Sequence, residues 1–264
     1  MKPLEDKSTG ELRPLIIGHR GAASVAPENT IISFKRAMTD GADGIEFDVR
    51  LAQDRVPVVI HDPTLRRTAL RDGAVAALSS TELSKVDAGT WFNRRFPSLA
   101  REEYSHASIP TLSEVFELFQ STDAVLYVEM KCVPAEARAI AEEVAKLIRE
   151  REMISRAVVE SFTLEAIAEM KRIAPEIRTA ALFEPKLVPP PSTRRMMRLA
   201  AECRADELAL HHLLARRSVV EEATRRGMKT VIWTVDNPAW RARASRLHIH
   251  AIITNNPAIM KGYG

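Results

Sequence analysis

Four apolar runs end in ionisable side chains. LIIGHRG ends in His19 and Arg20, GIEFDVRL in Glu46 and Asp48, VPVVIHDPT in His61 and Asp62, and AVLYVEMK in Glu129 and Lys131. A buried strand gains nothing structural from a charge at its tip, so four such tips point to one shared site. Side chains two apart on a strand share a face. Glu46 therefore projects with Asp48 and Glu129 with Lys131, while Phe47 turns the other way. Carboxylates gathered this way repel one another unless a cation neutralises them, and an oxygen-only set suits Mg²⁺ or Ca²⁺ rather than zinc. The competing arrangement is a set of structural salt bridges to Arg20, Arg50 or Lys131. His19 and His61 suit a general acid and a general base on opposite sides of a bond. Arg20 is a planar, bidentate donor for a phosphate oxygen. Together these groups point to phosphoryl-ester cleavage.

The elements that must position them alternate. LIIG leads into PENTIISFKRAMTDG, whose Ile31, Ile32, Phe34, Ala37 and Met38 form one helical face that ends at Gly41. GIEFDV and VPVVIH follow with too short a link for a helix between them. VLYVEM precedes a long helix, and AVVESF, RTAALF, ELALHH, TVIWTV and AIITNN follow, most after a helical stretch. The alternation argues for a parallel α/β architecture in which strand C-termini share one rim. Nine strand candidates compete for the eight places of a closed (β/α)₈ barrel, so one, either ELALHH or AIITNN, is expected to be peripheral. Residues 65–108 break the rhythm. They hold a capping box from Ser79 to Glu82, and a second box, Thr111 to Glu114, opens the next helix. A connection this long carries its own structure or a function. It follows the third strand and would overhang the site as a cap, with Trp91 and Phe92 as its small core. The prolines at 189–191 read as a loop within the alternation.

The 264 residues, 45% hydrophobic and 28% charged, suit a single barrel over the whole of residues 1–264 with a loose polar tail at 1–13. A net charge of +3 argues against nucleic-acid binding. Arginines after residue 190 read as a solvated face. Two cysteines, Cys132 and Cys203, form neither a disulfide framework nor a zinc cluster, so a reducing, cytoplasmic setting is expected. No run reaches the roughly 18 apolar residues of a membrane span, and the N-terminus lacks the pattern of a signal peptide. A stable membrane anchor is not expected, and homo-oligomerisation is left open.

HRGAASVAPENT, GADGIEFDVRL, VPVVIHDPTLRRT, VDAGTWF, IPTLSEVFEL, VEMK, VVESF and VIWTVDN resemble the glycerophosphodiester phosphodiesterase family, in order and over about residues 15–257. The resemblance implies a TIM-barrel hydrolase that uses a divalent cation to split a small-molecule glycerophosphodiester into glycerol 3-phosphate and an alcohol. It implies His19 and His61 as the acid/base pair and Glu46, Asp48 and Glu129 as metal ligands. Arg20 and Lys131 would contact the phosphate, and Glu28 and Asn29, the EN element, would support His19 or the metal shell. Two departures stand out. Asn255 and Asn256 lie where the family commonly has an acidic residue, and ALRDG follows HDPTLRRT in place of threonines and glycines. Both are expected to bear on substrate contacts, not on the metal or histidine positions.

Phe162 and Trp233 end strands at the same rim and could pack on the substrate or belong to the barrel core. His211 and His212 read as one packed and one exposed ring. His106, His248 and His250 have no assigned role, and Cys132 should point away from the site. Two other functions compete with the leading one: a lysophospholipase D-like enzyme with a greasy cleft, and a barrel that only binds phosphorylated ligands.

Overall fold

The apolar runs are hydrophobic on both faces, as strands must be when one face fills a barrel and the other meets a helical layer. A computed structural model describes residues 13–185 and 191–262. Its strands are β1 (Leu15–His19), β2 (Gly44–Leu51), β3 (Pro57–Val59), β4 (Val125–Met130), β5 (Ala157–Ser161), β6 (Arg178–Phe183), β7 (Glu207–His211), β8 (Lys229–Trp233) and β9 (Ala251–Thr254). Eight of them close a parallel barrel in the order β1-β9-β8-β7-β6-β5-β4-β2, and β2 pairs back onto β1. Ile17, Tyr127, Val158, Leu182, Val231 and Ile253 fill the interior. Their strand neighbours Phe47, Val128, Val159 and Leu210 pack outward into the helix-facing core.

The supernumerary strand is β3, not ELALHH or AIITNN, which are the staves β7 and β9. β3 runs antiparallel to β2, with Val49 opposite Val59 and Leu51 opposite Pro57. The physical reason is the short link between them: a parallel return needs a crossover of about a dozen residues, a hairpin does not. His61 thus reaches the rim because β2 overshoots it and the hairpin brings the chain back, with Ile60 N–H donating to the Asp48 carbonyl (3.0 Å).

The helix Ile31–Thr39 begins at Thr30, whose side chain accepts from Ser33 N–H, and the chain leaves it through Gly41 at φ 83°. Both capping boxes form, Ser79 with Glu82 and Thr111 with Glu114. Within the insertion, Leu65, Val75, Leu83 and Val86 pack on Val58 and Ile60 around β3. Phe92 packs with Tyr104 and Ala26, its ring edge-on to Trp91 and Tyr104. The aromatic pair thus forms a small core against the chain that follows β1. Cys132 packs against the outer core, as expected, and burial pushes its thiol up to about 11. Residues 1–12 of the expected tail and the first two prolines of the 189–191 loop lie outside the described residues. Among the described residues no helix is long and apolar enough to cross a membrane.

Candidate active site

Strand parity holds at the rim. Glu46, Asp48 and Glu129 all turn inward, with 2%, 0% and 7% of their surfaces exposed. One oxygen from each lies within 4.8 Å of the others. Lys131 Nζ sits 2.6 Å from Glu129 Oε1 and 3.1 Å from Asp48 Oδ1, and Arg20 Nε sits 3.0 Å from Asp48 Oδ2. These are charge contacts more than hydrogen bonds, because Arg20 Nε, Asp48 Oδ1 and Glu129 Oε1 are short in distance but lack an aligned partner. Asn29 pins Asp48 from both sides, donating through Nδ2 to Oδ2 (2.7 Å) and accepting Asp48 N–H (3.2 Å). Arg50 stands aside from the carboxylates and donates to the His61 carbonyl (2.8 Å).

The cations serve the acids unequally. Burial opposes ionisation of Asp48, but Arg20 and Lys131 outweigh it and hold the carboxyl far below the usual range. Among the described residues Glu46 accepts a hydrogen bond only from Arg20 backbone N–H, on Oε2 (3.1 Å), and its Oε1 has no hydrogen-bond partner. Burial, then Asp48 and Glu129, push it well above the ordinary carboxyl value. Burial raises Glu129 to about 7 against the pull of Lys131. The trio is therefore short of positive charge, and a buried oxygen points at nothing. Hard oxygen donors in this state fit a divalent cation.

Both histidines are anchored through Nδ1. His19 Nδ1 lies 2.6 Å from Asn255 Oδ1, and Asn255 Nδ2 donates to Asp236 Oδ2 (2.8 Å). Asn255 must therefore accept, so His19 carries its proton on Nδ1 and keeps Nε2 for proton transfer. Nε2 lies 3.8 Å from Glu46 Oε2. Burial, then Arg20, lowers His19 to about 4. His61 Nδ1 lies 2.6 Å from Asp62 Oδ1, and burial lowers its pKa too, against the field of Asp48.

The turn after β1 aims Arg20. Arg20 (φ 51°), Gly21 (φ 87°) and Asn29 (φ 57°) all occupy the left-handed region. At Gly21 a Cβ would fall 2.4 Å from Ser33 Oγ, so no side chain fits there. Non-glycine residues held in that region cost energy and cluster at functional sites. Arg20 Nη1 donates to Glu28 Oε1 (2.8 Å).

A cavity of about 360 Å³ in the barrel mouth is lined by His19, Arg20, Glu46, His61, Glu129 and Lys131 on one side. Phe162 and Trp233 line the other, edge to face with ring centroids 5.4 Å apart. A larger, open groove of about 700 Å³ runs beside it along the insertion, past Arg67, Leu70, Trp91 and Phe96. Eight of the eleven residues singled out for the site line this cavity; Asp48 and Asn29 pair with each other without lining it, and Glu28 lines the neighbouring groove.

Comparison with known proteins agrees with this geometry. The Glycerophosphoryl diester phosphodiesterase family profile matches residues 19–259. The chain belongs to this family. It is 35% identical to a glycerophosphodiester phosphodiesterase of Caldanaerobacter subterraneus over 93% of this chain and 96% of that one. Among solved structures it resembles a putative glycerophosphoryl diester phosphodiesterase from Silicibacter pomeroyi (TM-score 0.80, 27% identity, covering 93% of this chain and 91% of that one). It shares its fold with an Oleispira antarctica phosphodiesterase solved with the product sn-glycerol-3-phosphate (TM-score 0.80, 23% identity, 95% and 96% covered).

The family departure at Asn255 does touch a histidine, contrary to the expectation that it would concern substrate alone. The carboxylate stands one residue further out, at Asp236, and reaches His19 through the Asn255 amide. Closure of β9 beside β1 brings these groups together. Arg67 also joins this network. It donates to Asp62 (2.7 Å) and to both oxygens of Glu28 (2.8 Å each), linking the anchor of His61 to that of Arg20. It lies on a short helix, Arg66–Ala69, where no periodic signal marks it. Glu160 is a fourth buried carboxyl in the mouth. The parity that selects Glu129 selects it too, since the two are register partners on β4 and β5. His211 and His212 do not split into packed and exposed. Both are half-buried, stacked 4.4 Å apart, with His211 edge-on to Trp233.

Proposed function

We propose that this chain hydrolyses glycerophosphodiesters to glycerol 3-phosphate and an alcohol by acid/base catalysis between His19 and His61. One observation carries the reading: two Nδ1-anchored histidines share a cavity with a buried, incompletely neutralised carboxylate trio and two cationic side chains. The relatives' activity supports the substrate class.

Glu46, Asp48 and Glu129 would hold Mg²⁺ or Ca²⁺, which supplies the positive charge that a phosphodiester and its transition state demand. Arg20 and Lys131 bind the non-bridging phosphate oxygens and stabilise the charge that grows there. One histidine takes the proton of the attacking hydroxyl, from water or from the glycerol itself. The other protonates the departing alkoxide. In the second case departure of the alcohol leaves a cyclic phosphate, which water then opens to glycerol 3-phosphate with the histidine roles exchanged. Glu28 and Asn29 hold Arg20 and Asp48 in place, and Phe162 and Trp233 pack on the substrate carbons. Residues 65–108 form a cap over the mouth within a single barrel domain, and two free thiols, Cys132 and Cys203, accord with a reducing, cytoplasmic setting.

The test is hydrolysis of glycerophosphocholine and of lysophosphatidylcholine by the purified protein, with and without EDTA. Glycerophosphocholine should be cleaved, EDTA should abolish turnover, and His19→Ala or His61→Ala should each lower it by about 10²- to 10⁴-fold. Near-normal turnover in either variant would overturn the acid/base assignment. Preference for the lysolipid would move the substrate class to lysophospholipids, held in the groove beside Leu70, Trp91 and Phe96.

A further inference from the structure

Among the described residues, Glu160 is the one fully buried carboxyl of the mouth that the mechanism leaves unused. It follows Val158, an interior residue, at the next inward position of β5. Only 1% of its surface is exposed. Its Oε2 has no hydrogen-bond partner, and among the described residues no lysine or arginine makes an ion pair with it. It also lies outside the three carboxylates that gather within 4.8 Å of one another. A buried carboxyl with neither cation nor donor is retained only if something else satisfies it.

Across the same cavity, Trp233 Nε1 is a second buried polar atom without a partner. One is an N–H that can only donate and the other a carboxyl that can accept. Phe162, Leu182 and Ile253 supply the apolar part of the lining, with Glu184 beside them. A ligand that satisfies both atoms must accept a hydrogen bond at one point and donate one at another while offering C–H surface. Hydroxyl groups on a short carbon chain do this. An ammonium head group does not, because it leaves the tryptophan N–H unpaired, and Lys131 Nζ already lies 5.6 Å over the Phe162 ring.

We propose that Glu160, opposite Trp233, is the specificity-determining residue that binds the free hydroxyls of the glycerol arm, so that the alcohol arm leaves on the other side of the phosphate. The proposal rests on the glycerophosphodiesterase reading and specifies where within the mouth the glycerol lies.

The test compares kcat/KM for glycerophosphocholine with kcat/KM for its analogue lacking the terminal primary hydroxyl, which keeps the hydroxyl next to the phosphate, and for bis(p-nitrophenyl) phosphate, which has no hydroxyls. Wild type should prefer glycerophosphocholine over the deoxy analogue. In Glu160→Leu that preference, and the preference over bis(p-nitrophenyl) phosphate, should each fall at least about tenfold, since a site built to bind a hydroxyl discriminates strongly against its loss. Glu160→Gln, which keeps one acceptor oxygen, should retain more of the preference than Glu160→Leu, and Trp233→Phe should lose part of it. An unchanged ratio in Glu160→Leu overturns the proposal. So does a shifted midpoint in a Mg²⁺ titration with the ratio intact, which would make Glu160 a cation ligand. If wild type cleaves bis(p-nitrophenyl) phosphate but no glycerophosphodiester, the function reading fails and this one falls with it. If wild type cleaves glycerophosphocholine and only the ratio fails to move, Glu160 alone is misassigned.

Discussion

The two mouths of this barrel treat charge in opposite ways. At the N-terminal mouth, Asp43 receives Arg13 through two 2.8 Å contacts, Lys261 at 3.1 Å and the Ile16 N–H at 2.8 Å. Burial opposes its ionisation, but these partners hold it below the usual carboxylate range. Nearby, Lys171 pairs with Asp206 at 2.6 Å, and Tyr127 donates to Glu207 at 2.9 Å. At the C-terminal mouth, acids outnumber their partners, and among the described residues Glu46 and Glu160 each keep a buried oxygen without a hydrogen-bond partner. The first end meets most of its charges within the chain, although Glu207 Oε1 also lacks a hydrogen-bond partner among the described residues, whereas the second gathers three buried acids short of positive charge. In parallel barrels chemistry belongs to the C-terminal rim and stability to the opposite one.

Substitutions should separate the two ends. The largest effect beyond the histidines is expected at Arg67, where Arg67→Ala frees both Asp62 and Glu28. Loss of such an outer partner costs roughly 10- to 100-fold in activity, so kcat/KM should fall by that factor. Thermal stability should hold, since Arg67 is 42% exposed and exposed ion pairs contribute little. A drop in melting temperature with kcat/KM intact would reverse the assignment of Arg67 to the chemical end.

Tyr127→Phe should do the converse. It removes the hydroxyl that donates to buried Glu207, leaving an acceptor unsatisfied at a cost of about 1–3 kcal/mol. Denaturant unfolding should report that loss while kcat/KM stays within about twofold of wild type. An activity loss larger than this would show that the two mouths are coupled.

The smallest effect is a pH dependence at His250, where burial, then Lys229 and Arg178, lower the ring's pKa from 6.5 to about 4. The unfolded chain takes up a proton as pH falls through 6.5, and the folded one resists until about 4. Stability from this group is therefore complete above that window and lost as pH falls across it. His250→Gln should lose less stability than wild type between pH 6.5 and 4.5, measured as unfolding midpoints. Parallel losses in both proteins would exclude His250 as a contributor.

Much of the active mouth is legible in the chain because it depends on local periodicity. A strand repeats every two residues, so Glu46 must share a face with Asp48, and Glu129 with Lys131, whatever the strands pack against. The capping boxes at Ser79 and Thr111 are equally local, since their donors and acceptors lie three residues apart. Other features depend on what lies beside a strand rather than along it. β3 resembles the other strands in composition, and only its short link to β2 makes it a hairpin arm.

Residue types and their spacing thus determined a parallel barrel, its inward-facing acids, its two histidines and its arginine. Tertiary structure decided their partners. Asn255 lies 236 residues from His19 and meets it only because the last strand closes against the first. Arg67 reaches Glu28, 39 residues away in the chain, only because the short helix after β3 folds against the chain that follows β1. The isolation of Glu160 is a property of everything around it. Hydrogen bonds act over about 3 Å, and which groups fall within that distance is settled by ring closure, not by order along the chain.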